Sequence, residues 1–334
     1  MKKHLLPQCN SYKANLHCHT NVSDGAMSPE QVKQAYKSLG YSVVAYTDHD
    51  VLIPHDDLND PDFLALHGLE IEIDEPRPNT DFKYLKTCHF CLIAIDPDNL
   101  TQPMWHREKF VPKCSLAYRD KVKFDESEPD YERVYSADGI SEMMRIGRER
   151  GFFVTYNHPT WSLEEYPQYT SYKGMHAMEM FNGACIFDGY DDYNPRVYDD
   201  ILRSGNRILC IGADDNHSPS HVGRAYTVIK APSLQYRDIT AALVNGDFYA
   251  SEGPEIKELC LEDGTVHIKT SAAQYINISC GIRRSRAVVA PDGDTVTEAS
   301  FALPDGADYF RLTVIAPDGK RACTNAYFVD ETEK

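Results

Sequence analysis

Short apolar segments alternate with polar or helix-like stretches over the first two-thirds of the chain. Seven of them are rich in β-branched and aromatic residues and end in turn-forming or charged residues, which is typical of buried strands. They cover about residues 12 to 19, 42 to 47, 63 to 72, 84 to 95, 152 to 157, 176 to 181 and 207 to 212. This repeated order of strand, helix and strand predicts an α/β fold of the barrel type.

Helix start and stop signals lie between several of these segments. Ser28-Pro29-Glu30-Gln31 places a capping Ser before a Pro at the first helical position, with Gln three residues after the cap, and Gly40 ends the apolar stripe that follows. Asn194-Pro195 and Gly205 frame a second helix, and a third is predicted from Ser136 to Gly151. The helices therefore fall where an α/β barrel requires them.

The composition changes twice along the chain. Between about residues 96 and 135, Pro, Asp, Glu and Lys predominate with weak periodicity, which predicts an insertion that either covers a functional site or decorates the surface. After about Pro254, strand-like runs alternate with turn signals such as Pro291-Asp292-Gly293, which predicts a small all-β sandwich. We therefore expect one domain over residues 1–253, which contains the insertion, and a sandwich-like domain over residues 254–334.

Charge and cysteine usage narrow the class of protein. The chain of 334 residues has 34 Lys and Arg against 51 Asp and Glu, a formal net charge of -17. It therefore lacks the basic field that binding to nucleic acid or to anionic membranes needs. No apolar run reaches the ~20 residues that span a bilayer and the N-terminus carries no secretory signal, so we expect a cytoplasmic protein.

The ten cysteines follow no disulfide spacing, and the C-x-x-C of Cys88 to Cys91 begins an apolar run, so we expect reduced strand cysteines.

His17-Cys18-His19 is the first candidate for chemistry. Alternate residues of an extended strand point to the same face, so both imidazoles converge while Cys18 packs on the other side. A Ser-Asp-Gly turn that contains Asp24 follows at once. This arrangement is a good start for a metal site, although an isolated pair of this kind also occurs by accident on surfaces and in cores.

Five later groups of polar residues recur at or near the ends of the predicted strands. They are Asp48-His49-Asp50, Glu70, His89, Asn157-His158 and Asp215-Asn216-His217. Active sites of α/β barrels lie at strand ends, and a carboxylate such as Glu70 within an apolar strand is costly to bury unless it is paired or bound to metal. The full set therefore predicts a polynuclear metal site in which Glu70 is the candidate bridging ligand.

These motifs resemble those of the PHP family, named after polymerase and histidinol phosphatase. In the family's order they are His17-x-His19 with Asp24, Thr47-Asp48-His49-Asp50, Gly68-Leu69-Glu70, His89, Asn157-His158-Pro159 and Asp215-x-His217, over about residues 12 to 225. The resemblance implies a distorted (β/α)7 barrel of the PHP type and a site for up to three metal ions. Asp24 makes the chain more similar to the family's general phosphoesterase branch, because histidinol phosphatases commonly have His at this position.

The resemblance also implies which residues bind which ion. The first ion would be held by His17, His19, Glu70 and Asp215, the second by Glu70, His89 and His158, and the third by Asp24, His49 and His217. Imidazole and carboxylate ligands without thiolate suit Zn²⁺, Mn²⁺ or Fe, so we expect two or three divalent ions of these kinds. Asp48 and Asp50 are expected to orient His49 through hydrogen bonds.

Phosphoester hydrolysis is the activity that follows from such a centre. A hydroxide bridging two ions would attack the phosphorus of a small phosphorylated molecule. The catalytic candidates are Asp215, His217 and Arg224, with Arg224 binding phosphate oxygens and Arg145 and Arg148 as further candidates. A surface ion pair is the alternative role for each arginine.

Two other functions are weighed against this one. A nuclease role is less expected, since the chain is acidic and no basic stretch accompanies the motifs. A hypothesis of a different class is a non-catalytic, metal-containing binding or sensory protein whose β-sandwich recognises a ligand or partner. Its motivation is the appended sandwich, which phosphate hydrolysis does not need.

Overall fold

The computed structural model describes residues 2–332 and shows a mixed α/β protein. Its strands are β1 (Lys3–His4), β2 (Asn10–Asn15), β3 (Val43–Tyr46), β4 (Leu64–Asp74), β5 (Thr87–Ala94), β6 (Phe152–Tyr156), β7 (Ala177–Asn182), β8 (Leu209–Ala213), β9 (Tyr226–Ala231), β10 (Phe248–Ser251), β11 (Ile256–Glu262), β12 (Thr265–Ala273), β13 (Tyr275–Ser279), β14 (Arg286–Val289), β15 (Val296–Ala302), β16 (Tyr309–Ile315), β17 (Arg321–Thr324) and β18 (Tyr327–Phe328). Its α-helices are α1 (Pro29–Ser38), α2 (Ala137–Glu149), α3 (Gln168–Ser171), α4 (Pro195–Arg203), α5 (Tyr236–Asn245) and α6 (Val329–Thr332). Short 3₁₀ helices lie at Asp56–Leu58, Phe82–Tyr84, Leu116–Lys121, Cys185–Asp188 and Pro219–His221. None of the helices within residues 2–332 is long and apolar enough to cross a membrane.

The predicted elements of the first two-thirds of the chain are present. The predicted strands correspond to β2 through β8, and the predicted helices correspond to α1, α2 and α4. The first strand is shorter than predicted, because β2 ends at Asn15 and the chain continues toward His19 with a single bridge between Cys18 and Asn216. The sequence pattern does not single out β9, α5 and β10. Since β9 runs antiparallel to β2 and β10 runs antiparallel to β9, these strands fall outside the parallel strand–helix alternation.

Strand direction explains where the polar residues gather. β2, β3 and β4 run parallel to one another, and so do β6, β7 and β8. β5 is antiparallel to both neighbours, β4 and β6, because residues 75 to 86 return the chain from β4 without a crossover α-helix. Hence the start of β5, which carries His89, lies at the same edge as the ends of the parallel strands.

The expected barrel is not a closed sheet in residues 2–332. The strand order is an open path that begins at β14 and ends at β8. Beyond β8, the Asp215 N–H donates to the His17 carbonyl at 3.0 Å, which joins the segment after β8 to the segment after β2 without a strand ladder. Within β8, the Gly212 N–H donates to the Thr227 hydroxyl at 3.1 Å, and this hydroxyl donates to the Gly212 carbonyl at 2.9 Å. These two backbone groups of Gly212 are therefore not free to pair with a further strand. The fold is therefore mixed α/β with a large sheet, and the (β/α)7 barrel stays a prediction.

Two sheets enclose the C-terminal core. One is four-stranded, in the order β1-β11-β12-β15, and the other is formed by β14-β13-β16-β17, which continues the large sheet through β10. Buried residues of both sheets pack together, among them Leu259, Ile268, Ile276, Phe310 and Leu312. The N-terminal β1 joins the first of these sheets through β11. The division of domains at residue 253 stays a prediction, and residues 1, 333 and 334 of the predicted domains lie outside the described residues.

Candidate metal centre

The nine predicted ligands meet at the edge where the parallel strands end and β5 begins. Their nitrogen and oxygen atoms form groups whose members lie within 4.8 Å of one another: His19, Asp24, His49 and His217; His17, His19 and Glu70; His17, His158 and Asp215; and Glu70, His89 and His158. A further group joins His49 and His89 to Glu72, which the sequence interpretation does not select. The fold thus brings together every residue of the predicted ligand set.

Glu70 is the hub of the centre. Its Oε1 lies 3.2 Å from His17 Nε2 and 3.3 Å from both His89 Nδ1 and His158 Nε2, and its Oε2 lies 3.3 Å from both His19 Nε2 and His49 Nδ1. Two ligands bound at about 2.05 Å to one tetrahedral ion are themselves about 3.3 Å apart. The spacing around Glu70 therefore fits a carboxylate shared between ions.

Three buried ligand atoms lack a hydrogen-bond partner among the described residues, and they are His49 Nδ1, His89 Nδ1 and Asp215 Oδ1. Leaving a buried polar atom unsatisfied costs about 1–3 kcal/mol. Asp215 Oδ1 instead faces two ring nitrogens, His17 Nε2 at 3.3 Å and His19 Nε2 at 3.2 Å. Bound cations would satisfy all three atoms, and this imidazole and carboxylate set fits Zn²⁺, Mn²⁺ or Fe.

Four imidazoles are oriented by hydrogen bonds at Nδ1. The Nδ1 contacts are His17 to Glu179 Oε1 at 2.7 Å, His158 to Ser162 Oγ at 3.1 Å, His217 to the Asp215 carbonyl at 3.0 Å and His19 to Ser23 Oγ at 3.4 Å. A proton on Nδ1 leaves the Nε2 lone pair free for a metal ion. His49 and His89 differ from these four, because they turn Nδ1 toward Glu70.

The group around Asp24 forms the opening of the centre. Asp24 Oδ2 lies 3.4 Å from His217 Nε2 and 3.6 Å from His49 Nε2. The side chains of Asp24 and His217 are 40% and 33% exposed, whereas the inner ligands are almost fully buried. Trp161 packs edge-on against His158, with ring centroids 5.1 Å apart, and is itself partly exposed. A molecule arriving from solvent therefore meets the Asp24 group first.

The charged groups of the centre shift one another's pKa values. Burial disfavours ionisation of Glu70 and Asp215, but the surrounding imidazoles outweigh it and hold the pKa of each carboxyl well below its ordinary value. Burial also opposes protonation of His17, yet the charges of Asp215 and Glu70 raise its pKa well above the ordinary value. For His49, burial and the neighbouring His19 lower the pKa to about 3. Both carboxylates are thus ionised at neutral pH, and a cation bound by His17 would displace its proton.

Glu179, in the middle of β7, is a buried carboxylate that the sequence interpretation misses. It accepts hydrogen bonds from His17 Nδ1 at 2.7 Å, from the His158 N–H at 2.8 Å and from Asn182 Nδ2 at 2.8 Å. It interrupts the apolar run from Ala177 to Phe181, which is the same signal that singles out the hub carboxylate. Glu179 therefore positions two of the predicted metal ligands without facing the centre itself.

Replacing Glu179 by Gln is expected to weaken metal binding by about 10- to 100-fold. An amide keeps one acceptor oxygen but turns an NH₂ group either toward His17 or toward the donors on the other side, so one orienting bond is lost. Calorimetric titration of Mn²⁺ or Zn²⁺ measures the change. The matched control is Glu258→Gln, which removes only surface ion pairs with Lys2 and Lys269. Equal affinities for Glu179→Gln and the unaltered protein would contradict the assigned role.

Asp48 does not hydrogen-bond to His49 within the described residues, contrary to the sequence interpretation. It accepts instead from the Thr20 N–H at 2.8 Å, the Thr20 hydroxyl at 2.9 Å and the Ser23 hydroxyl at 2.7 Å. These convergent donors satisfy the buried carboxylate at short distances and hold it against the turn rather than against the imidazole. Asp48 therefore shapes the turn that carries Asp24.

The insertion at residues 96–135 contacts the loops that carry the opening ligands. Arg133 forms an ion pair with the buried Asp50, whose carboxylate has no hydrogen bond to His49 among the described residues, contrary to the sequence interpretation. The Ser115 hydroxyl donates to the His49 carbonyl at 2.7 Å. Apolar residues of the insertion and of both loops form one buried cluster, with Val22, Val51, Trp105 and Val122 as its members. These contacts favour an insertion that covers the functional site over one that lies only on the surface.

The candidate arginines make other contacts among the described residues. The guanidinium of Arg224 lies 4.5 Å from the centroid of the Phe187 ring, and its Nε donates to the Ser220 carbonyl at 3.3 Å. Arg145 and Arg148 lie on the exposed face of α2, where Arg145 pairs with a glutamate one turn on. Arg145 and Arg148 thus have surface roles, and phosphate binding by Arg224 stays a prediction.

Three solved structures are among those to which this chain is similar, whereas no family model and no curated protein matches it. A two-domain protein from Bacteroides vulgatus, described as containing a predicted PHP-like metal-dependent phosphoesterase, has 16% identity and a TM-score of 0.44, with 98% of each chain covered. An amidohydrolase from Chromobacterium violaceum has 14% identity and a TM-score of 0.37, covering 62% of this chain and 88% of its own. The lesion-specific endonuclease PfuEndoQ from Pyrococcus furiosus has 16% identity and a TM-score of 0.39, covering 70% of this chain and 56% of its own. The first of these descriptions names the same family that the motifs resemble.

Proposed function

We propose that this chain is a metal-dependent phosphoesterase that hydrolyses phosphate esters of small molecules. The observation that carries the proposal is the set of imidazole nitrogens at 3.2–3.3 Å from the buried carboxylate of Glu70. A purely structural carboxylate in a core is satisfied by hydrogen-bond donors, and Glu70 has such a donor at Oε1, Asn157 Nδ2 at 2.7 Å. Here ligand atoms of His49, His89 and Asp215 remain unpartnered within residues 2–332, as cation ligands would be.

Two or three divalent ions of Zn²⁺, Mn²⁺ or Fe are the proposed cofactors. One position would be held by His17, His19, Glu70 and Asp215, a second by Glu70, His89 and His158, and a third by Asp24, His49 and His217. Divalent ions bound there supply Lewis-acid chemistry, because they lower the pKa of water and neutralise the charge that develops on a phosphoryl group. The close approach of the first two ligand sets at Glu70 favours a shared carboxylate.

The opening determines how a substrate would approach. His217 and Asp24 are the most exposed of the proposed ligands, so they would meet a phosphate group first. The His217 ring is held by its Nδ1 contact to the Asp215 carbonyl, which directs Nε2 toward Asp24. Trp161 offers an apolar edge beside His158 for the organic part of an ester. Phosphate binding by Arg224 would require its guanidinium to leave the Phe187 ring.

A small substrate is favoured over a nucleic acid because of charge. The formal net charge of -17 opposes approach of a long polyanion, while a single phosphate group can be neutralised by bound cations. The two substrate classes are separate arms of the test below.

Elemental analysis combined with a phosphoester panel tests the proposal. Protein loaded separately with Mn²⁺, Zn²⁺ or Fe²⁺ is expected to retain about two or three ion equivalents and to release phosphate from at least one small phosphomonoester or phosphodiester. Single-stranded and double-stranded DNA and RNA form the second arm, and cleavage confined to that arm would overturn the small-molecule substrate. Retention of ions without hydrolysis of any ester would instead support the alternative of a metal-containing binding protein.

A further inference from the structure

We propose that Glu72 is a further metal ligand of this centre, which joins His49 and His89 in holding one of its ions. The inference rests on the proposed metal centre and extends it by one carboxylate. Glu72 follows Glu70 by two residues on β4, so both side chains project from the same face of the strand. In the antiparallel ladder of β4 and β5, Glu72 lies directly opposite His89, which places their side chains side by side.

The distances fit ligands of one ion better than hydrogen bonds. Glu72 Oε2 lies 3.6 Å from His49 Nδ1 and 3.9 Å from His89 Nε2. A hydrogen bond to a ring nitrogen needs a separation of about 3.2 Å or less. Two ligands bound at about 2.1 Å to one ion lie about 3.0 Å apart when adjacent and about 4.2 Å apart when opposite. Both distances fall inside that interval.

The two histidines supply a second, independent observation. His49 and His89 are 7% and 6% exposed, and each has a buried Nδ1 without a hydrogen-bond partner in the described part of the chain. The other four histidines of the centre have a hydrogen-bond contact on Nδ1, whereas these two have none there among the described residues. The unpartnered Nδ1 of His49 faces Glu72 Oε2 at 3.6 Å, so an ion bound by Glu72 would supply the positive charge that this nitrogen lacks.

Glu72 is also held in place and open to solvent at the same time. Its backbone carbonyl accepts a hydrogen bond from Arg133 at 2.7 Å, and the charge of Arg133 is balanced by Asp50, so the guanidinium does not compete with an ion for the Glu72 carboxylate. The Glu72 side chain is 35% exposed, compared with 1% for Glu70. Glu72 is therefore a carboxylate that solvent and ions can reach, whereas Glu70 is not.

Metal titration of the Glu72→Gln variant tests the inference with Mn²⁺ and, separately, Zn²⁺ as the only probes. We expect this variant to lose about one bound equivalent, or to show one class of sites weakened by at least 10-fold, in calorimetry and in elemental analysis after gel filtration. Gln keeps an acceptor oxygen for a hydrogen bond from the His89 ring, so a carboxylate that only orients this ring predicts an unchanged count and affinity. Asp74→Asn is the matched control, because Asp74 lies two residues further along β4 and is exposed.

The possible results separate the two proposals. An unchanged ion count, with affinities within about 3-fold of the unaltered protein, would overturn the role of Glu72 and leave the metal centre standing. Failure of the unaltered protein to bind Mn²⁺ or Zn²⁺ would instead overturn the proposed function. Circular dichroism of the metal-free proteins checks folding. Should Glu72→Gln not fold, Glu72→Asp must show the same loss, because it keeps the charge but withdraws the carboxylate by one methylene.

Discussion

Replacing His17 and His19 together by Ala is expected to remove at least one bound metal ion and to lower phosphoester hydrolysis by about 10³-fold or more. Both rings are fully buried, and their Nε2 atoms lie 3.2–3.3 Å from carboxylate oxygens of Glu70 and Asp215. Without the two imidazoles, the negative charges of Glu70 and Asp215 repel each other, and no bound cation neutralises them. The measurement is the rate of phosphate release on the best ester of the panel, together with the ion count.

The control for this double variant is His267→Ala. His267 lies on β12 of the four-stranded sheet, where its ring hydrogen-bonds to the surface Ser300, so its removal is expected to leave both ion count and rate unchanged. Circular dichroism establishes that the double variant is folded. Full activity of the folded double variant would rule out the proposed metal centre as the source of hydrolysis.

Replacing Asp199 by Ala is expected to lower the free energy of unfolding by about 3–5 kcal/mol. Asp199 lies on α4 and accepts two hydrogen bonds from Arg311 of β16, from Nε at 2.9 Å and from Nη2 at 2.8 Å. The Arg311 side chain is 5% exposed, so the substitution leaves an uncompensated charge between the helix and the strand. Urea denaturation followed by circular dichroism measures the loss.

Two further variants identify the cause of this loss. Asp199→Ala combined with Arg311→Met removes both charges and is expected to recover most of the stability, because an apolar pair avoids the desolvation of two ions. Asp330→Ala removes an exposed contact to Arg207 and is expected to have little effect on unfolding. If the double variant were as unstable as Asp199→Ala alone, the unpaired Arg311 charge would not be the cause.

The candidate ligands can be selected from the sequence because metal ligation restricts both residue type and position. His, Asp and Glu at the ends of apolar strands are costly to bury for any other reason, and their recurrence at Glu70, His158 and Asp215 made coincidence a poor explanation. The same reasoning applied to the apolar run of β7 would have found Glu179. Cys18 was also predicted correctly, since it packs in the buried cluster with Met27 and Val44.

Hydrogen-bond partners could not be predicted in the same way. Asp48 and Asp50 flank His49 in sequence, but a side chain bonds to whatever donor lies nearest in space, and for Asp48 these are Thr20 and Ser23. The contact of Glu72 with His89 arises because β5 reverses direction, which sets them opposite each other in the ladder. Neither relation leaves a periodic signal along the chain.

The sequence by itself determined the elements of the first two-thirds of the chain and the nine candidate ligands, because periodicity and burial cost act locally on each strand. Only the tertiary structure decided that β5 runs antiparallel and that β1 joins β11. It also decided that Gly212 of β8 hydrogen-bonds to the Thr227 side chain of β9 instead of forming a ladder with that strand. These outcomes depend on pairing between segments far apart in the chain. The free energy of such pairing is set by the whole packed sheet and not by any one segment.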